Sequence, residues 1–279
     1  MRELFTMWRH TRMIVLTVLV AAVYAAVLIP FKAIPIVPGI TELRIAQVLP
    51  PVASLLFGPA AAWGIAIGNL IGDLFGTFGP GSAFGFLGNF FLGAMPYMLW
   101  GRLGPLSAHQ EPAMANRRQV LEFIIVTAVS GIACAFAIAW GLELLGLFPF
   151  TVLGLLIAMN NVILPGAVGW IVLRLLYRRV KRWGLIWTEL MEPEEVGNQP
   201  TASVAAWLCA VATLAGWALC LALSVGAGGK FGDAGLQAGT GGAMNVVLAG
   251  APFLAAILLS FVLGSPRTDL GQQGGERAA

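Results

Sequence analysis

The first long apolar run of the chain, residues 13–31, reads MIVLTVLVAAVYAAVLIPF. It contains no charged side chain, and an α-helix needs about 20 such residues to cross the hydrocarbon core of a bilayer. Arg2, Arg9 and Arg12 precede it. The run is longer than the ~7–15-residue apolar core of a secretory signal peptide. It therefore predicts a first membrane-spanning helix and not a cleaved leader.

The composition of the whole chain points in the same direction. Of its 279 residues, 58% are hydrophobic and only 10% are charged, whereas soluble domains have roughly 25% charged residues. So few charges cannot coat a soluble globule, because Lys, Arg, Asp and Glu normally cover the outside. The net charge of +3 is too small to indicate a nucleic-acid partner. The sequence predicts an all-α integral membrane protein whose environment is the lipid bilayer.

Seven further apolar runs follow the first. They predict spans at about residues 45–57, 59–76, 84–101, 119–146, 151–173, 201–226 and 243–263. Residues 45–76 are too long for one helix, and Phe57-Gly58-Pro59 supplies a break because Pro cannot continue a helix. The Pro-rich residues 30–38 should form an ordered loop between the first two spans.

The basic residues predict how these spans are oriented. With the N-terminus inside, all of the 16 Lys and Arg residues fall in inner segments except Lys32, Arg44 and Lys230. Inner loops of membrane proteins carry an excess of Lys and Arg. The pattern therefore predicts eight spans, N-in and C-in.

Changes in composition divide the chain into four parts. We predict a six-helix membrane domain, a cytoplasmic linker, an extra transmembrane hairpin and a disordered cytoplasmic tail, at residues 1–182, 183–200, 201–264 and 265–279 respectively. Five basic residues end the first part, the linker is polar and partly acidic, and the tail is polar enough to stay unfolded.

Polar side chains inside apolar spans are costly, so each is a candidate for function or for a hydrogen bond between helices. The candidates inside spans are Asn69, Asp73, Asn89, Glu143, Asn160 and Asn161, and Glu42, Arg44 and Gln47 lie at the mouth of span two. Most of them fall in the outer half of the predicted membrane, and Asn69 and Asp73 share one helix face. This distribution predicts a pocket open to the outside. The alternative is that these groups end helices or hold neighbouring helices together.

Small residues in span one form two pairs, Ala21/Ala25 and Ala22/Ala26. This spacing lets another helix approach closely. The approaching helix could belong to a partner protein or to the same chain.

Several kinds of site have no sequence signature here. The chain has no Gly-x-x-x-x-Gly-Lys-Ser/Thr loop and no His-Glu-x-x-His motif, so neither ATP binding of that type nor zincin chemistry is expected. Cys134, Cys209 and Cys220 lie in apolar runs, and both histidines lie in polar flanks. We therefore expect no metal site, no cofactor and no enzymatic activity.

The first six spans, about residues 13–180, resemble the substrate-binding S component of an energy-coupling factor (ECF) transporter. The alanine pairs of span one match that family's small-residue docking motif. Residues 43–50, LRIAQVLP, are similar to the Arg-Ile-Ser-Glu run of the queuosine-precursor branch, with Gln47 where that branch has an acid. Residues 64–72, GIAIGNLIG, resemble the Gly- and Asn-bearing third helix of the same branch. The hairpin 201–264 lies outside the six-helix pattern.

The resemblance implies high-affinity capture of a vitamin-like or nucleobase-like solute from outside, as the membrane subunit of an ATP-driven importer in the cytoplasmic membrane of a bacterium or archaeon. The implied partners are a transmembrane coupling subunit and two ATPase subunits, which would reorient the S component to release solute inside. The coupling face would be Ala21, Ala22, Ala25 and Ala26. Seven of the polar candidates would line the pocket: Glu42, Arg44, Asn69, Asp73, Asn89, Glu143 and Asn160. Two other functions stay open: a self-contained secondary transporter or channel, and a membrane assembly or scaffold protein.

Overall fold

Apolar α-helices make up most of the computed structural model, which describes residues 3–31, 35–37, 41–42, 44–76, 78–192, 195, 202–226 and 242–264. In chain order the helices are α1 (Glu3–Thr6), α2 (Thr11–Phe31), α3 (Leu49–Phe57), α4 (Pro59–Asp73), α5 (Ser82–Leu99), α6 (Arg117–Leu144), α7 (Phe150–Arg182), α8 (Trp187–Leu190), α9 (Ala202–Gly226) and α10 (Met244–Leu263). Two short antiparallel strands, β1 (Pro35–Val37) and β2 (Thr41–Glu42), lie between α2 and α3. The predicted all-α membrane fold is confirmed.

Six described helical segments are long and apolar enough to cross a membrane, and they correspond to six of the predicted spans. The exceptions are α3 and α4, which have 9 and 15 residues. At 1.5 Å per residue they are about 14 and 23 Å long, whereas the hydrocarbon core is about 30 Å thick. The structure thus differs from the sequence prediction over residues 45–76.

The helix α3 is short because it begins inside the bundle. A 3-10 turn, Ile45–Val48, precedes it and places Gln47 beside Tyr24, which lies about 20 Å along α2 from its first residue. At the other end of α3, a Cβ on Gly58 would lie 2.6 Å from the Trp187 ring, and Gly58 has a φ of +49°. Glycine is required there by both the contact and the backbone. The chain reverses at this point and returns along α4.

The helix α7 extends beyond its predicted end. Its basic residues were expected to stop the helix at about 173, but it continues to Arg182 and has 33 residues, a length of about 50 Å. Arg and Lys favour helical backbone, so a charge run ends the apolar layer without ending the helix. The helices α2 and α6 begin at one end of the bundle, and α7 reaches its C-terminus there. We call this end of the bundle the basic face.

The hairpin α9–α10 packs directly on α6 and α7. Trp140 Nε1 donates to the Val247 carbonyl oxygen at 2.9 Å, and Trp217 Nε1 donates to the Gly154 carbonyl oxygen at 3.0 Å. A Cβ on Gly250 would lie 2.4 Å from the Trp140 ring, so the glycine lets α10 approach. These contacts join the hairpin to the six-helix bundle.

The predicted linker begins with packed structure, since Trp187 of α8 is buried. The predicted disordered tail, residues 265–279, lies outside the described residues, as do residues 196–200 of the linker. The N-in/C-in orientation and the division into four parts stay predictions.

Candidate functional site

Buried polar side chains from three segments meet at the Tyr24 hydroxyl, in the half of the bundle away from the basic face. The Tyr24 oxygen lies 3.2 Å from Gln47 Oε1 and 3.1 Å from Asn89 Oδ1, and all three residues are buried. Asn89 Nδ2 donates to the Gly85 carbonyl oxygen at 2.8 Å, which turns the amide oxygen of Asn89 towards Tyr24. Because the hydroxyl has one proton, it donates to Asn89, and the Gln47 amide can rotate to donate to the Tyr24 oxygen.

A second polar pair, Asn69 and Asp73, lies on one face of α4 next to the first group. Asn69 Nδ2 donates to Asp73 Oδ2 at 3.4 Å, and both side chains are buried. Gly85 joins this pair to the first group, since a Cβ there would lie 3.2 Å from Asn69 Nδ2 and 3.5 Å from Asp73 Oδ2. The absence of a side chain at Gly85 therefore lets α5 approach both the Asn69 carboxamide and the Asp73 carboxylate.

Arg44 adds a positive charge to this group. It is half-buried at the start of the 3-10 turn, and its charge interacts with the Tyr24 hydroxyl and the Cys134 thiol. The Asp73 carboxylate also interacts with Tyr24, so a cation and an anion lie near one hydroxyl. We call the set described so far the polar cluster: Tyr24, Arg44, Gln47, Asn69, Asp73 and Asn89.

Asn161 of α7 extends the polar cluster towards the middle of the bundle. Its side chain lies near the Cys134 thiol, and its Nδ2 lies 3.5 Å from the Gly131 carbonyl oxygen. Three buried atoms, Asn69 Oδ1, Asn161 Oδ1 and Arg44 Nε, have no hydrogen-bond partner within the described ranges. Leaving such an atom unpaired costs about 1–3 kcal/mol. Two acceptors and a donor in this setting suit a small solute with polar edges.

The structure brings together four of the seven predicted pocket residues: Arg44, Asn69, Asp73 and Asn89. Glu42 lies in β2, opposite Pro35, and its side chain is outside the described part. Asn160 is half-buried on α7 beside Asn161 and forms a contact of its own. The role of all seven in solute binding stays a prediction.

Glu143 lies apart from the polar cluster. One carboxylate oxygen accepts a hydrogen bond from the Phe150 amide at the start of α7, and the other accepts from the Ala243 amide at 2.7 Å. The side chain is 1% exposed. Glu143 therefore binds the chain at the starts of α7 and α10, and such a contact between helices is the alternative that the sequence left open for it.

Sequence reasoning did not include Tyr24, Gln47, Cys134 or Asn161 in the pocket. The signal for Tyr24 was available, because a phenol inside an otherwise aliphatic span needs a hydrogen-bond partner. Gln47 and Asn161 carry the same kind of signal as the amides that were chosen. The proximity of Cys134 depends on how α6 packs, which the sequence does not specify.

The four alanines of α2 divide between two faces. Ala21 and Ala25 are buried, and a Cβ on Gly68 of α4 would lie 2.8 Å from the Ala21 carbonyl oxygen. Ala22 and Ala26 are exposed. The first pair therefore serves close packing within the chain, and only the second pair is accessible to a partner.

A family model described as QueT transporter matches residues 14–178. The chain belongs to the QueT transporter family. The QueT match extends from α2 into the last turns of α7 and leaves α9 and α10 outside it. The resemblance to the queuosine-precursor branch of the S components is confirmed, and the protein is a multi-pass membrane transporter component that binds substrate. No curated protein and no solved structure matches the chain.

Proposed function

We propose that this QueT protein captures a queuosine precursor, or a similar nucleobase-like solute, from the outer side of the cytoplasmic membrane. The observation that carries the proposal is the polar cluster in the half of the bundle opposite the basic face, together with the three unpaired buried atoms on Arg44, Asn69 and the neighbouring Asn161. Selective small-molecule sites are mostly apolar with a few convergent polar groups. The QueT family match supports the solute class.

The groups of the polar cluster complement a nucleobase-like edge. The Asp73 carboxylate can accept from ring or exocyclic N–H groups, and Arg44 Nε can donate to a carbonyl oxygen. The free amide oxygens of Asn69 and Asn161 can accept further N–H groups. Because Gln47 is neutral where the related branch has an acid, Asp73 would provide the negative charge that orients the solute.

The protein would work with a transmembrane coupling subunit and two ATPase subunits, as S components do. The exposed face of α2, with Ala22 and Ala26, is the part of the predicted coupling face that a partner can reach. ATP hydrolysis by the partners would reorient the bundle and release the solute inside.

The first experiment identifies the solute. Protein purified in mild detergent should release a small organic molecule detectable by mass spectrometry. Asp73→Asn should reduce its retention by about tenfold, as expected for loss of one charge-assisted hydrogen bond. Glu189→Gln, an exposed acid on α8, is the matched control and should retain it fully. Equal retention in Asp73→Asn would exclude this site.

The second experiment separates the three functions that the sequence left open. Uptake of the identified solute should require co-expression of the coupling and ATPase subunits. Uptake by the chain alone would indicate a secondary transporter or channel. A stoichiometric protein partner with no retained solute would indicate a scaffold.

A further inference from the structure

A groove lies on the basic face between the start of α6 and the second half of α7. It has a volume of about 370 Å³ and is lined by Met114, Ala115, Asn116, Arg117, Val120, Trp170 and Arg174. The segment before α6 is held in place by hydrogen bonds: Asn116 Oδ1 accepts from the Gln119 amide at 2.9 Å, and Asn116 Nδ2 donates to Gln110 Oε1 at 3.0 Å. The groove is therefore a formed feature of the bundle.

Two arginine side chains give the groove a positive charge. Arg117 and Arg174 are exposed, and neither forms a salt bridge within the part of the chain that the structure describes. Glu111, in the segment before α6, is already bound by Lys181 at 2.6 Å and by the Tyr177 hydroxyl at 3.0 Å. The charge of the two arginines is therefore not neutralised by Glu111. The positive end of the α6 dipole adds to it.

The surface next to the groove is apolar. One turn further into the bundle from Arg117, Leu121 of α6 is 53% exposed, and Ile171 of α7, next to Trp170, is 42% exposed. Trp is enriched where membrane helices leave the hydrocarbon layer. The two helices thus present cationic side chains at the level of lipid headgroups and aliphatic side chains at the level of acyl chains.

We propose that this groove binds an anionic phospholipid, with the headgroup phosphate between Arg117 and Arg174 and the acyl chains along α6 and α7. Arg recognises phosphate through paired hydrogen bonds, and basic pockets between membrane helices suit anionic headgroups. The adjoining apolar surface favours a lipid over free phosphate, which has nothing to place there.

Native mass spectrometry of the delipidated full chain tests this proposal. Titration with phosphatidylglycerol should give one retained lipid per chain, whereas phosphatidylcholine at the same concentration should be retained at least tenfold less. The double variant Arg117→Gln/Arg174→Gln should lose about tenfold or more of the phosphatidylglycerol adduct. Arg178→Gln/Arg182→Gln removes two exposed arginines outside the groove and should retain it.

Three outcomes would overturn the proposal. Equal phosphatidylglycerol retention in the Arg117/Arg174 variant would show that the groove does not hold the lipid. Retention of inorganic phosphate or glycerol phosphate as strong as that of the lipid would assign the site to a free phosphate. If the Arg117/Arg174 variant retained phosphatidylglycerol normally but no longer bound the coupling subunit, the groove would be assigned to protein docking.

Discussion

Gly85 of α5 lies against Asn69 of α4, so that a Cβ on Gly85 would stand 3.2 Å from Asn69 Nδ2. The carbonyl of Gly85 also accepts the hydrogen bond that orients Asn89. One residue without a side chain therefore joins the two halves of the polar cluster.

Gly85→Val should reduce solute retention by about tenfold or more, because the added methyl groups displace Asn69 and overpacking costs about 1–3 kcal/mol. Retention is measured by mass spectrometry of purified protein. Gly166→Val on α7, where a Cβ meets nothing within 4 Å, is the control. Unchanged retention in the Gly85 variant would show that the solute does not depend on this contact.

Tyr24→Phe should lower the thermal stability of the protein by about 1–2 kcal/mol, because Asn89 and Gln47 lose the partner of their buried amides. Tyr97→Phe is a matched control, since Tyr97 is also buried but its hydroxyl has no hydrogen-bond partner in the described ranges. Thermal unfolding in detergent measures both. An equal effect of the two variants would mean that the Tyr24 hydrogen bonds contribute nothing.

Glu143→Ala should loosen the attachment of α10, because the Phe150 and Ala243 amides lose their acceptor. We expect faster proteolysis between α9 and α10 and a loss of about 1–3 kcal/mol in stability, with solute retention unchanged. Exposed Glu189→Ala should change neither quantity. Lost retention in a folded Glu143→Ala protein would instead return Glu143 to the pocket, as the sequence predicted.

Ala22→Trp and Ala26→Trp should preserve folding and solute retention but weaken co-purification with the coupling subunit, because both alanines are exposed. Ala21→Trp should reduce the yield of folded protein, because Ala21 is packed against α4. Co-purification that survives both exposed substitutions would place the coupling face elsewhere.

Burial raises the pKa of Glu3 to about 7, and the nearby charge of Arg102 opposes this shift only in part. The folded protein then holds a proton that the unfolded chain releases above its ordinary pKa of 4.5. Stability should therefore fall as pH rises between about 4.5 and 7, by at most ~1.4 kcal/mol per pH unit. Thermal unfolding at pH 5.5 and 7.5 should show this slope in the parent protein and a smaller one in Glu3→Gln. An identical slope would remove Glu3 as its source.

The sequence was sufficient for the features that depend on hydrophobicity and charge. Long apolar runs predicted the spanning helices, and the dipeptide Gly58-Pro59 predicted the break between α3 and α4. The point inside the bundle at which α3 begins could not be predicted from the sequence. It depends on the preceding segment entering the bundle so that Gln47 reaches Tyr24. A count of apolar residues cannot distinguish a short helix that starts inside a bundle from one that crosses it.

In the candidate site, too, the sequence predicts the placement of some residues and not of others. Asn69 and Asp73 could be paired from their spacing, since residues four apart share a helix face. The placement of Glu143 could not be predicted, because its two partners are backbone amides, one of them a hundred residues away in sequence. Backbone groups carry no residue-specific signal, so a buried acid that binds them looks the same in sequence as one that binds a solute.

The charged end of α7 has a consequence for the proposed reorientation of the bundle. The helix has 33 residues, and its last turns carry Arg178, Arg179, Lys181 and Arg182. If the bundle rotates towards the membrane plane, this charged end sweeps towards the hydrocarbon layer, where each Lys or Arg costs about 2.5–3.5 kcal/mol at the centre. We therefore expect the charged end to oppose such a rotation, and a protein partner that keeps these side chains out of the hydrocarbon would make the rotation easier.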